Sequence, residues 1–209
     1  MLLPQGTDVW AEMNTFFLNV DNLIYHVRSR ELSGCIHCRF PDSRKEGVIF
    51  LLEGDALCGL MDGGRDRIRG QEAVRHILEA ARSDRNATIT VRRLPVASVE
   101  IISEVLLLPV RSVHTRLSKD FMDIEKYIGK LQKEEFNGYI EIRYHNDNQE
   151  GIIFFREGGI HALITSSLQL DVNKATNNNH LKLFNIHRIK LIQRAKQEGI
   201  SYNVFAEAA

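Results

Sequence analysis

The chain has 209 residues, with 27 Lys and Arg set against 27 Asp and Glu, so its formal charge is zero. Apolar residues at 44% and charged residues at 26% are enough for a buried core, which excludes a wholly disordered chain and fits one large domain or two small ones. The balanced charge gives no reason to expect nucleic acid or a membrane surface as partner. No basic-then-apolar leader opens the sequence, and the longest apolar run, 105–110, is far shorter than the ~20 residues of a spanning helix. Three cysteines, an odd number, read as reduced thiols of a cytoplasmic protein.

In chain order, Val9, Trp10, Met13, Phe16, Phe17, Val20, Leu23, Ile24 and Val27 recur at spacings of three and four, which predicts an amphipathic helix over 9–27. A strand follows, with Ile36, Cys38 and Phe40 facing the core and His37 and Arg39 facing out. The run 48–52 suits a strand covered on both faces, and Glu53-Gly54-Asp55 suits a tight hairpin turn. A helix over 71–83 and a strand over 87–93 come next. Pro95 and Pro109 then bracket an apolar linking helix over 96–108. The pattern starts again with a helix over 121–131, for which Ser118 is a plausible N-cap. After three more strands, the polar stretch 165–180 reads as a mobile loop. A helix over 181–197 and a strand over 201–207 finish the chain.

The second half repeats the first. Residues 31–60 align with 135–164 without a gap at an offset of 104, and ten of the thirty positions are identical. Chance would give roughly two. The identities include Gly34/Gly138, Arg39/Arg143, Glu46/Glu150, Glu53/Glu157 and Gly54/Gly158. The reading is an α+β fold of two tandem repeats, each helix, three-stranded antiparallel meander, helix, strand. The first unit is placed at 1–94, a linker helix at 95–115 and the second unit at 116–209. Charge divides with the repeat: residues 1–110 carry 13 basic and 15 acidic side chains, and the remainder 14 and 12.

The pattern G-x-I-x-I followed by E-G-x-I-x-F-x-x-G-x-I, here Gly138 to Ile142 and Glu150 to Ile160 with Ala162 just beyond, resembles the PATAN-type domain of bacterial signalling proteins, also classed as a domain of unknown function. That resemblance implies a non-catalytic module with other signalling proteins as partners, and it brings no catalytic residue.

Three local features offer sites. Cys35 and Cys38 have a metal-ligand spacing, but on a strand they point to opposite faces, so no metal or other cofactor is expected. Gly63, Gly64, Arg65, Arg67 and Arg69 precede a helix start and could hold an anionic ligand such as a nucleotide; the alternative is a solvated loop whose arginines are balanced by Asp62 and Asp66. Lys182, Arg188, Lys190, Arg194 and Lys196 form a basic helix that suits an acidic partner ahead of nucleic acid backbone, or is simply a solvated face. No catalytic motif is present, so no enzyme activity is expected. The leading expectation is a protein-interaction module, with room for a homodimer through the linker helix; the competing one is an anion sensor at Arg65, Arg67 and Arg69.

Overall fold

The computed structural model describes residues 5–63, 67–118, 120, 123–144, 150–165, 168–171, 188–194 and 200–208. The chain divides into two compact units, Gln5–Leu107 and Leu108–Ala209.

The first unit runs β1 (Thr7–Asn14), α1 (Val20–Ser29), β2 (Gly34–Phe40), β3 (Lys45–Leu52), β4 (Asp55–Asp62), β5 (Arg67–Arg69), α2 (Gly70–Ser83), β6 (Thr88–Arg93) and α3 (Val96–Leu107). The second runs β7 (Val110–Ser118), α4 (Ile124–Lys133), β8 (Gly138–Tyr144), β9 (Glu150–Arg156), β10 (Gly159–Thr165), β11 (Leu168–Asp171), a helix over 188–194 (α5) and β12 (Ile200–Glu207). Each unit builds a six-stranded antiparallel sheet, in the orders β1-β6-β2-β3-β4-β5 and β7-β12-β8-β9-β10-β11. These are the same order. The fold is α+β in two tandem repeats, each with the expected meander, to which two strands per unit must be added.

The first added strand corrects the helix expected over 9–27. Residues 7–14 are the edge strand β1, and only residues 20–29 are helical. The helical spacing misled because β1 carries two irregularities, between Asp8 and Trp10 and between Trp10 and Met13. A bulge inserts a residue and resets the alternation, so Trp10 and Met13, three apart, both pack on the core. Strand β7 carries irregularities between Ser112 and His114 and between His114 and Leu117, the same places at the offset of 104. Glu12 and Arg116, again 104 apart, both adopt positive φ, 49° and 55°. The repeat therefore begins at the first strand and includes its distortions.

The helices begin as capping chemistry requires. Asn19 Oδ1 accepts from Asn22 N–H at 2.9 Å ahead of α1, and Asp123 Oδ1 accepts from Glu125 N–H at 3.0 Å ahead of α4. Ser118 is not the cap: it ends β7. One face of each sheet packs on its helices. Ile36, Cys38, Phe40 and Ile49 join Val27 and Ile77 in the first core; Ile140, Ile142 and Tyr144 join Ile128 and Leu131 in the second.

The β3–β4 turn locks the meander to the helix beside it. Glu53 and Gly54 both have positive φ, 51° and 89°, as do Glu157 and Gly158, 48° and 72°. A Cβ on Gly54 would lie 2.7 Å from the Arg28 Cα at the end of α1, and one on Gly158 would collide with the Gln132 carbonyl of α4. Glycine at these positions lets the turn tuck under the helix C-terminus, where Gly54 N–H bonds the Leu32 carbonyl and Gly158 N–H bonds that of Phe136.

Residues 95–115 comprise α3 and the first part of β7. Helix α3 packs on β3 and β4 within the first unit, buries Val99, Ile101, Ile102, Val105 and Leu106, and accepts a hydrogen bond at Ser103 Oγ from Cys58 Sγ at 3.4 Å. It is a cover for the second face of that sheet, which is why it is apolar nearly all round. Of the stretch 165–180, residues 168–171 form β11 against β10; residues 166–167 and 172–180 lie outside the described residues.

Candidate functional site

The alternation rule places His37 and Arg39, and Glu141 and Arg143, on the face opposite the α1/α2 or α4 core. That face is covered too. His37 and Glu141 are buried, and so are Thr90 and Asn203, which stand directly opposite them on β6 and β12. Each unit thus has one buried polar cross-strand pair at the middle of its sheet. Buried polar groups need partners, and Thr90 and Asn203 find theirs in parallel ways. Thr90 Oγ1 accepts the N–H of the bulged Glu12 at 3.1 Å, and Asn203 Oδ1 accepts the N–H of the bulged Arg116 at 2.9 Å. The bulge in the edge strand and the polar residue on its neighbour form one device.

In the first unit a charged row crosses the sheet below this pair. Arg39, Glu46, Asp62 and Arg67 are direct cross-strand partners on β2, β3, β4 and β5. Glu46 and Asp62, two like charges side by side, are relieved from both ends. Arg67 donates through Nε and Nη2 to Asp62 Oδ2 at 3.1 and 2.9 Å, with both side chains mostly buried. His37 Nε2 lies 3.9 Å from Glu46 Oε2, an ion-pair approach rather than a direct hydrogen bond. The His37 ring holds the Glu46 carboxyl below its usual range, with burial opposing and Arg39 adding to the effect. Arg39 itself bonds the bulge residue Glu12 at 2.8 Å. In the second unit the bulge residue is an arginine, and Arg143 turns instead to Glu141 Oε2 at 3.4 Å, where Asn203 Nδ2 also donates at 2.7 Å. The carboxylate has changed strands while the arginine has stayed.

This arrangement neutralises charge within the sheet. Nothing in it supplies an activated nucleophile. The thiols are equally quiet: burial pushes Cys35 and Cys38 up to about 12, with Arg92 pulling Cys35 the other way, and pushes Cys58 up to about 11 against the Ser103 hydrogen bond. Cys38 belongs to the helix-side core and Cys35 does not, as residues three apart on a strand should.

Of the anion-site residues, Gly63 ends the described segment after β4, while Gly64 and Arg65 lie outside the described residues. Arg67 is committed to Asp62, and Arg69 is the residue ahead of α2, with no side-chain cap of its own. Of the basic-helix residues, Lys182 and Lys196 lie outside the described residues. Arg188 and Arg194 are half-buried, the latter with its guanidinium 4.2 Å from the Tyr144 ring centroid, and Lys190 is exposed.

Sequence reasoning missed the buried pairs, although a signal was present. Arg39/Arg143 and Glu46/Glu150 are retained charged identities, and they prove to be cross-strand neighbours. It also placed Phe16 and Phe17 in a buried helical stripe. They sit in the turn after β1, 62% and 88% exposed, with their rings edge to face at 4.9 Å.

A family model described as an uncharacterized protein conserved in archaea (DUF2226) matches residues 108–185. That span covers β7 to β11, so the likeness is to the second unit, over less than half of the chain. No curated protein and no solved structure matches the chain significantly. The match corrects the resemblance to a bacterial PATAN domain and, with it, the assignment to bacterial signalling. The physical reason lies in the motif. Glycine at the strand start, apolar alternation and a Glu-Gly turn are what this meander needs in order to pack on its helices, so they report the packing and not the lineage. Among the described residues, no helix is long and apolar enough to cross a membrane.

Proposed function

We propose that the chain is a non-catalytic protein-interaction module of two repeats, acting in the cytoplasm. The observation that carries this reading is the edge strand β7. Six consecutive residues, 111–116, are exposed, including Val113 at 41%. In the first unit the equivalent strand buries Val9, Trp10 and Met13 partly against its core; on β7 only Leu117 does so. An open edge strand, anchored by little more than Leu117 and the His114 ring against Tyr127, is a pairing surface that an isolated domain has reason to avoid. Arg111 and Arg116 add two positive charges with no ion pair among the described residues, which suits an acidic segment of a partner. Three unpaired, buried cysteines support a reducing compartment.

The test is cross-linking and affinity capture from the native cell extract, with the wild type beside an Arg111→Glu/Arg116→Glu variant. The reading expects a specific set of proteins with the wild type, lost in the variant while its melting temperature is kept. Identical recovery with both proteins, or nothing above background with either, would overturn it.

A further inference from the structure

One end of the first sheet gathers the β1–α1 turn, the β2–β3 hairpin and the loop between α2 and β6. Strand pairing puts Asn14 opposite Thr88, and Phe40 opposite Lys45, at this end. The three loops are tied together. Thr15 Oγ1 donates to the Asp84 carbonyl, Thr15 N–H bonds the Ala87 carbonyl at 2.9 Å, and Asn86 Nδ2 donates to Asp42 Oδ2 at 3.0 Å. On this braced end stand the exposed Phe16 and Phe17 and three exposed cations, Arg44, Lys45 and Arg85. None of the three has an ion pair or side-chain hydrogen bond among the described residues. Arg82 is matched by Asp21 at 2.7 Å, while Asp42 and Asp84 on the same loops accept hydrogen bonds from Asn86, so the three cations outnumber the two carboxylates beside them by one.

The aromatic pair belongs to the first unit alone: at the offset of 104, Phe16 becomes Asp120 while Phe17 becomes Phe121, so one ring recurs and its neighbour does not. Two adjacent aromatic rings held out in solvent by a hydrogen-bonded turn cost solubility and stabilise nothing within the unit.

We propose that this end of the first unit is a peripheral membrane contact that seats on an anionic lipid surface. Phe16 and Phe17 enter the headgroup boundary, and Arg44, Lys45 and Arg85 lie over the lipid phosphates. The surface is a turn tip of two rings, much smaller than the ~800 Å² each partner contributes to a stable protein interface, and it needs no matching pocket in a bilayer. The overall charge of zero hides this patch, because net charge reports the whole chain and steering depends on where the charges stand. The contact is independent of the β7 surface, which lies on the other unit.

Vesicle flotation tests it with the full chain. Vesicles of phosphatidylcholine with about a third phosphatidylserine are compared with pure phosphatidylcholine, at low and high salt. A factor of about five per net positive charge near an anionic surface predicts roughly fivefold stronger partitioning to the anionic vesicles, lost at high salt. Phe16→Ser/Phe17→Ser should abolish flotation, and Arg44→Glu/Arg85→Glu should abolish the lipid preference. Both variants change exposed residues, and unchanged thermal melts show that they fold. No flotation of the wild type with anionic vesicles at low salt overturns the proposal. So does flotation that survives the two aromatic substitutions. Loss of a protein partner in the Phe16→Ser/Phe17→Ser variant, with no vesicle binding by the wild type, would assign the tip to protein docking instead and also overturn it.

Discussion

The two units share one backbone plan and solve its central problem with different chemistry. Both have the same strand order, the same two bulges in the edge strand and the same positive-φ turn under the helix end. In both, a polar pair is buried at the middle of the covered second face. In the first unit it is His37 and Thr90, with the arginine's carboxylate on the bulge; in the second it is Glu141 and Asn203, with the carboxylate moved inward and an arginine on the bulge. The comparison teaches that the plan fixes which positions are buried and polar and leaves the residue types free: the second unit closes its pair with hydrogen bonds, while His37 Nε2 has only the 3.9 Å approach to Glu46.

The most disruptive way to probe that shared plan is to empty the same core position in each unit. Ile49 and Ile153 are fully buried equivalents on β3 and β9. Each Ile→Ala change should cost about 2–5 kcal/mol. Calorimetry of the two variants would show whether each unit melts on its own. If every variant lowers a single shared transition, the units unfold together; separate transitions moved one at a time would make them independent.

The turn comes next in size. Gly54→Ala and Gly158→Ala each place a Cβ at positive φ and against the backbone of the preceding helix end. Strain of this kind costs about 1–3 kcal/mol. Urea unfolding of both variants should show losses of similar size, since the two turns are alike. A change at either site that costs less than the ordinary scatter of surface mutations would contradict the locking role.

The third probe separates the units. Glu141→Ala leaves the Asn203 amide short of an acceptor inside the second sheet, and should cost about 1–3 kcal/mol. His37→Ala strands less, because His37 makes one longer contact, at 3.9 Å. A double-mutant cycle of Glu141 and Asn203 should show coupling, while His37 and Thr90 should be close to additive. Equal costs and equal coupling in the two units would mean that the chemical difference between them is without energetic consequence.

How much of this was legible follows from what periodicity reports. Gly34, Gly54 and their repeats were legible because one backbone conformation demands them. The three central strands were legible because their alternation is unbroken, and α3 because two prolines bound it. Strand β1 was not, since its bulges turn a period of two into spacings of three that imitate a helix. Strands β5 and β11 are three and four residues long, too short for any period to show. The buried pairs were misplaced for a different reason. Alternation puts His37 and Glu141 on the face away from the first core, and nothing local says that this face is covered as well. In the first unit α3, far downstream in the chain, covers that face at β3 and β4, a tertiary fact that β2 itself does not encode.

The smallest expected effect is a pH dependence that belongs to the first unit. The Glu46 carboxyl is held below its ordinary value of 4.5 in the folded chain by His37. A carboxyl depressed by folding contributes stability that is fully present above the unfolded value and is lost as pH falls through the folded one. Glu46→Gln should therefore be less stable than the wild type near pH 6, and the gap should close as the pH is taken down through the region below about 4.5. Glu46 is 43% exposed, so solvent screens the interaction and the gap is small. Urea midpoints of both proteins at steps between pH 6 and pH 3 measure it. The sign of the slope is the informative part. A gap that stays constant with pH would mean that the His37–Glu46 approach carries no charge coupling, and the row across β2 to β5 would then rest on the Asp62–Arg67 pair alone.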